Sequence, residues 1–236
     1  MSTVVAVALP VGWIEVAAQD SVEEMSRQLR DQAAVDGDAF DGSAVDTLVT
    51  AAVRLRGTVG SEDWQNFGAI VTQVPVRRPD GPDDEVPWRS TVWAFGVRLI
   101  RLPDFGDLNP IGVAERAVGG VGVVESVDSF HLDDGRDGVA VRLTAVALDD
   151  GELAVARERL PQLDPDGLGA WVCLLPAPGL PGTMSLTVGL APNDDEVLPM
   201  TWLGAQIATS VHGPVEGAQL PDVGATVRVG GEEQQR

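Results

Sequence analysis

Gly169-Ala170-Trp171-Val172-Cys173-Leu174-Leu175 and Met184-Ser185-Leu186-Thr187-Val188-Gly189-Leu190 are two β-rich runs of strand length, separated by Pro176-Ala177-Pro178-Gly179-Leu180-Pro181-Gly182. A segment so rich in proline and glycine cannot continue a strand, so the unit reads as a β-hairpin. Directly after it, Asn193 or Asp194 can cap a helix in which Val197, Met200, Leu203 and Ile207 share one face. A hairpin followed by an amphipathic helix needs a sheet to join and a face to cover, which is the layer logic of an α+β domain.

Working toward the N-terminus, Val121 to Leu132, Val139 to Leu148 and Glu152 to Arg159 read as a three-strand meander, although Leu153, Ala156 and Leu160 would also suit a helix in the last of them. Its turns are Asp133-Asp134-Gly135-Arg136-Asp137-Gly138 and Asp149-Asp150-Gly151. Asn109-Pro110 opens a short helix to about Val118, with Pro at the first helical position. Phe67 to Arg77 and Thr91 to Leu102 form a second hairpin, joined by the charged connector from Arg78 to Glu85. Before it, Ser21-Val22-Glu23-Glu24 fits a capping box for a helix from Val22 to Ala34, with Val22, Met25 and Leu29 at helical spacing. A second helix is expected from Ser43, its face formed by Val45, Leu48, Val49, Ala52 and Val53. Val4 to Val16 is a strand bent at Pro10 and Gly12, and Ala225 to Val229 is a short strand near the C-terminus. The sum is an α+β domain over residues 1–213, a mostly antiparallel sheet of about seven strands with helices covering a face. A polar, Gly-rich tail occupies 214–236.

Charge is the unusual property of this chain. It carries 36 acidic and 16 basic residues, a formal net charge of −20, and every basic residue is Arg. Such a field repels the phosphates of nucleic acid and the anionic face of a membrane, and it permits a basic protein partner. No segment has the ~18 consecutive apolar residues of a membrane span. The N-terminal Met1-Ser2-Thr3-Val4-Val5-Ala6 carries no basic n-region or lipidation cysteine, so the expected location is the cytoplasm.

The same composition removes several chemistries. Without lysine there is no P-loop and no Schiff-base or pyridoxal-phosphate lysine. The glycines at 119, 120 and 122 follow an expected helix and precede a strand, the wrong order for a phosphate cradle. Asp133 to Gly138 alternates carboxylates with glycine as a calcium loop does, but its twelfth position is Thr144 in a strand, so it reads as a hairpin turn. Cys173 is the one cysteine, lies in an apolar run far in sequence from His131 and His212, and reads as a buried core residue. No Gly-x-Ser-x-Gly elbow precedes either histidine. The sequence therefore assigns no catalytic, cofactor-binding or metal-binding residue and no cofactor.

Aromatic placement gives the one candidate binding site. Trp13, Trp93, Trp171 and Trp202 fall inside expected strands or the last helix, where core packing is the default. Trp64 and Trp88 stand at element edges among polar residues, and Trp88 closely follows Asp80, Asp83, Asp84 and Glu85. Those five residues, Asp80, Asp83, Asp84, Glu85 and Trp88, form the candidate partner site. Mutually repelling carboxylates between Pro79, Gly81 and Pro82 make a loop expected to order on a basic partner, with Trp88 as its anchor.

Leu9-Pro10-Val11-Gly12-Trp13 resembles the apolar-Pro-x-Gly-Trp opening of PsbP-like domains, and a hairpin followed by the terminal helix Leu203-Gly204-Ala205-Gln206-Ile207-Ala208-Thr209-Ser210-Val211 resembles their end. The resemblance implies a non-catalytic α+β binding domain. Some members are actinobacterial lipoproteins, whereas this chain lacks the lipoprotein cysteine and inserts two expected helices after its first strand. It carries over no functional residue.

These readings converge on a non-enzymatic protein-binding or adaptor protein, as in a bacterial secretion or assembly system. Two others compete with it: a hydrolase using Asp/Glu with His131, and a structural subunit that forms a homo-oligomer through its sheet edges. The charge also yields a direct expectation. The purified protein should not retard duplex DNA in a mobility-shift assay at physiological salt, and salt-sensitive retardation would contradict the reading of its field.

Overall fold

The computed structural model describes residues 5–16, 21–35, 49, 64–75, 88–101, 122–144, 146, 168–213 and 225–228. Within them the chain forms β1 (Val5–Ala8), β2 (Ile14–Glu15), α1 (Val22–Val35), β3 (Trp64–Pro75), β4 (Trp88–Arg101), β5 (Val123–His131), β6 (Asp137–Thr144), β7 (Gly169–Pro176) and β8 (Thr183–Ala191). A 3-10 turn (Asp194–Glu196), α2 (Val197–Thr209) and β9 (Ala225–Arg228) follow. Seven strands form one antiparallel sheet in the order β2-β3-β4-β8-β7-β6-β5. Two chain-ordered meanders, β2 to β4 and β5 to β8, are thus zipped together where β4 meets β8.

The two expected hairpins are present, with Trp93 opposite Ile70 in one and Val172 opposite Val188 in the other. The three-strand meander is corrected. The edge of β6 on which a third consecutive strand would lie is occupied by β7, through pairs such as Val141 with Val172. An unbroken apolar strand gains more from the sheet centre than a charged one, because both its faces are buried there. The residues 152–159 expected as that strand lie outside the described ones, as do the expected helix at 109–118 and all but Val49 of the helix after Ser43. The expected bent strand from Val4 to Val16 divides at Gly12, whose φ of +82° only glycine adopts readily. Its first half pairs with β9, Ala6 opposite Val227, and its second with β3, Ile14 opposite Ala69.

Period-two alternation sorts the core into two layers, one on each side of the sheet. Phe67, Ala69, Val92, Ala94, Val141, Leu143, Val172, Leu174 and Leu190 pack with Met25 and Leu29 of α1. Ile70, Trp93, Phe95, Val97, Trp171, Cys173 and Leu175 pack with Val197, Met200 and Ile207 of α2 and with Val5 and Val7. The two described helices therefore cover opposite faces rather than a single one. That is why Gly169 through Leu175 are all buried and why β7 needs no polar alternation. Each fully buried side chain of Leu or Met size contributes about 1.5–3 kcal/mol relative to exposure.

Local signals hold at the helix ends. The Glu24 N–H donates to Ser21 Oγ at 3.2 Å, as a capping box requires, while the Glu24 carboxylate accepts from Arg27 and Gln28. Glycines inside strands face aromatic residues across the ladder: Phe67 opposite Gly96, Phe95 opposite Gly68, Phe130 opposite Gly138 and Trp171 opposite Gly189. A side chain on Gly96 would meet the rings of Trp64 and Phe67, and one on Gly138 the ring of Phe130. Gly96 and Gly138 are small because a ring lies on the backbone there.

The same relation docks the last helix. A Cβ on Gly204 would fall 2.5 Å from Cζ3 of Trp171, whose side chain is itself buried. Helix propensity alone makes Gly→Ala favourable by about 1 kcal/mol, but overpacking costs about 1–3 kcal/mol. Gly204→Ala should therefore lower the midpoint of urea unfolding, while Ala205→Gly on the exposed side should cost only the propensity term.

Candidate functional site

β4 reaches its first partner on β8 at Ala94, so residues 88–93 pair with β3 alone and run past the end of β8. On the α2 side of this extension, Thr91 and Trp93 meet the 3-10 turn. Thr91 Oγ1 donates to Glu196 Oε2 at 2.7 Å and Trp93 Nε1 donates to the same oxygen at 2.9 Å. Asn193 Nδ2 donates to Oε1 at 2.6 Å. Glu196 is buried to 1 % exposure, so these donors replace its water and fix the start of α2 against β4. Asn193 is the residue before the turn, as expected, but its side chain serves Glu196 rather than the helix backbone.

Trp88 is the first residue of β4, opposite Pro75, and its side chain is 64 % exposed. Thr91, Trp93 and Phe95 farther along the strand are buried. The acidic members of the expected site, Asp80, Asp83, Asp84 and Glu85, lie outside the described residues. Trp64, paired with Trp88 in the sequence reading as an edge residue, is instead core. It is 6 % exposed and meets Phe67 edge-on, ring centroids 5.1 Å apart at 77°. β3 begins three residues before the expected start, which carries Trp64 into the sheet.

Trp202 is the reverse correction. Expected in the core, it is 77 % exposed, and Leu198 one turn earlier is 59 % exposed. Met200 faces the sheet, and two residues in a helix turn the side chain by about 200°, which points Trp202 outward. The periodicity of Val197, Met200 and Ile207 already contains this result. Residue type, taken alone, conceals it. The exposed positions of α2 (Leu198, Trp202, Ala205 and Gln206) form one stripe, and Val197-Leu198-Pro199-Met200-Thr201-Trp202-Leu203-Gly204-Ala205-Gln206-Ile207-Ala208-Thr209 contains no charged residue.

At the far end of α2 the β5–β6 turn is a fastening. Arg136 donates through Nη2 to Thr209 O at 3.1 Å and through Nη1 to Pro176 O at 3.3 Å. A cation on the last carbonyls of a helix is favoured by the helix dipole. Arg136 Nε also donates to Asp134 Oδ2 at 2.8 Å, and this hydrogen bond holds the Asp134 carboxyl below its usual range. The segment Asp133 to Gly138 is a hairpin turn, and no group of three or more His, Cys, Asp or Glu gathers for a metal among the described residues.

The structure also brings His131 to Asp137, Nδ1 to Oδ1 at 2.8 Å, directly opposite each other on β5 and β6. Their side chains are 68 % and 81 % exposed, so the pair stands in water at the outer hairpin. Ser126 Oγ, on the same strand, accepts from Arg142 Nε and donates to Asp128. Cys173 is buried as expected, and burial pushes its thiol up to about 12, away from thiolate.

Glu196 supports a stability test. Glu196→Ala would leave the buried donors of Thr91 and Trp93 without their acceptor, at about 1–3 kcal/mol for each unsatisfied group. Urea unfolding should show a lowered midpoint for Glu196→Ala. Thr91→Val should recover part of that loss in the double variant, because it removes one orphaned donor.

No family model matches the chain, and no curated protein matches it. Among solved structures it is similar to the solution structure of cyanobacterial PsbP (CyanoP) from Synechocystis sp. PCC 6803, at 13% identity and a TM-score of 0.33. The match covers 67% of this chain and 96% of that one.

Proposed function

We propose that this protein is a non-enzymatic protein-binding adaptor that receives a basic partner at the tip of the β3–β4 hairpin, in the setting of a bacterial cytoplasmic secretion or assembly system. The observation that carries the reading is Trp88, the outermost residue of β4, 64 % exposed on a strand whose later aromatics are buried. Tryptophan is among the residues most enriched at binding hot spots, and it is anchored here to a sheet rather than to a free loop. Asp80, Asp83, Asp84 and Glu85 stand just before it in the chain and supply a negative field for a basic surface.

Self-assembly through sheet edges is the less favoured reading. β5 is an end strand of the sheet, and Val123 and Val124 on it are exposed. Its ladder is broken between Val124 and Ser126, and the exposed Glu125 and Asp128 lie along it. A bulge and carboxylates on an end strand oppose pairing with a second copy.

The test is a pull-down from the native host followed by binding kinetics on the partner recovered. Asp83→Asn with Asp84→Asn should slow association more at low salt than at high salt, because steering is screened by ions. Trp88→Ala should chiefly speed dissociation, by tenfold or more for an anchor worth ~1.4 kcal/mol. Unchanged kinetics in both variants would remove the hairpin tip from the interface.

A further inference from the structure

α2 has a face with no assigned role. Its inner side is used up by Trp171 against Gly204 and by Val197, Met200 and Ile207 in the core. Its outer stripe offers Leu198 and Trp202, with Ala205 and Gln206 beside them. A helix without any charge on its solvent side is the pattern of a helix that becomes covered.

The ends of the stripe say what covers it. At the N-terminal end stands Asp195, exposed in the 3-10 turn. At the C-terminal end, Arg136 ties the β5–β6 turn to Thr209, which brings to that end of the helix the exposed Asp133, with Asp134 already bound to Arg136 and Asp137 to His131, so that carboxylates outnumber the guanidinium there. Arg136 itself is engaged by Asp134 and two backbone carbonyls. The stripe is therefore apolar in its middle and acidic at both ends, on a chain of net charge −20. A second copy would bring carboxylates against carboxylates, whereas a cationic partner would be drawn in.

We propose that the outer face of α2 docks an amphipathic helix of a basic protein partner, its apolar stripe on Leu198 and Trp202 and its Lys or Arg residues toward the acidic ends. Helix-in-groove and helix-on-helix recognition places anchors at i and i+4, the spacing of Leu198 and Trp202. Acidic groups at both ends leave the direction of the incoming helix open and fix only its pattern, charge–apolar–charge. The inference rests on the protein-binding reading above but uses a different surface from Trp88.

Three synthetic peptides of about 18 residues, five helical turns, test it with the full-length protein in titration calorimetry at about 0.15 M salt. The first is an amphipathic Leu/Lys helix, the second its shuffled composition without a stripe, and the third the same stripe with Glu for Lys. The first should bind, the second at least tenfold more weakly, and the third not at all. Leu198→Ser with Trp202→Ser should weaken the first peptide at least tenfold, and Trp202→Phe should restore part of the binding. Both positions are exposed, so the circular dichroism of these variants should match the parent.

Trp88→Ala should leave peptide binding unchanged. Loss on Trp88→Ala with indifference to the α2 variants would keep the hairpin-tip reading and overturn this one. Equal binding of striped and shuffled peptides, or binding of the Glu peptide, would also overturn it. So would concentration-dependent self-association that the α2 variants abolish, since a second copy would then be the occupant.

Discussion

The ring of Trp171 against the bare backbone of Gly204 is the contact on which the rest of this structure depends. β7 is buried on both faces, and a strand of that kind is stable only if something apolar lies over each side. On one side that cover is α2, and a helix can approach a large ring this closely only where it has no side chain. Gly189, opposite Trp171 on β8, makes the matching space for Phe95 and Met200. Packing of this density fixes the rotation of α2 about its own axis, because a turned helix would drive a side chain into the indole.

Once that rotation is fixed, the two ends of the helix need only be held. Glu196 holds one end to β4 through Thr91 and Trp93, and Arg136 holds the other through Thr209. The two fastenings differ in kind. The buried carboxylate accepts from Thr91, Trp93 and Asn193, so its loss leaves orphaned polar groups in the core. The guanidinium lies nearer the surface and works partly by opposing the helix dipole. Between them the helix is held at both ends, and its outward residues are presented to solvent. Leu198 and Trp202 are consequently positioned by the sheet although neither touches its core.

Charge is distributed with the same economy. Among the described residues the acidic side chains on the sheet are Glu125 and Asp128 on the end strand β5, Asp137 at the start of β6 and the half-buried Glu15 on the other end strand, β2. An interior of this kind tolerates a strongly negative chain because most described carboxylates reach water, the single fully buried one among the described residues being Glu196, which accepts from Thr91, Trp93 and Asn193. That outward field is what the proposed basic partner would meet.

Much of this architecture was legible in the residues. The central hairpin, the capped helix from Val22, the antiparallel α+β class and the burial of Cys173 all follow from periods of two or 3.6 and from turn chemistry, which are local properties of the chain. What the sequence did not show is which elements become neighbours. β6 joins β7 rather than a third consecutive strand, and β1 leaves the main sheet to pair with β9, because pairing is settled by which surfaces are buried together. The same reason reverses two tryptophans. Trp64 is enclosed because β4 brings Gly96 beneath it, and Trp202 is exposed because Gly204 commits the other side of its helix to Trp171. Sequence alone determined that these residues were aromatic and sat at particular phases of a helix or strand. The tertiary contact decided which phase faced water, since that depends on a partner surface distant in the chain.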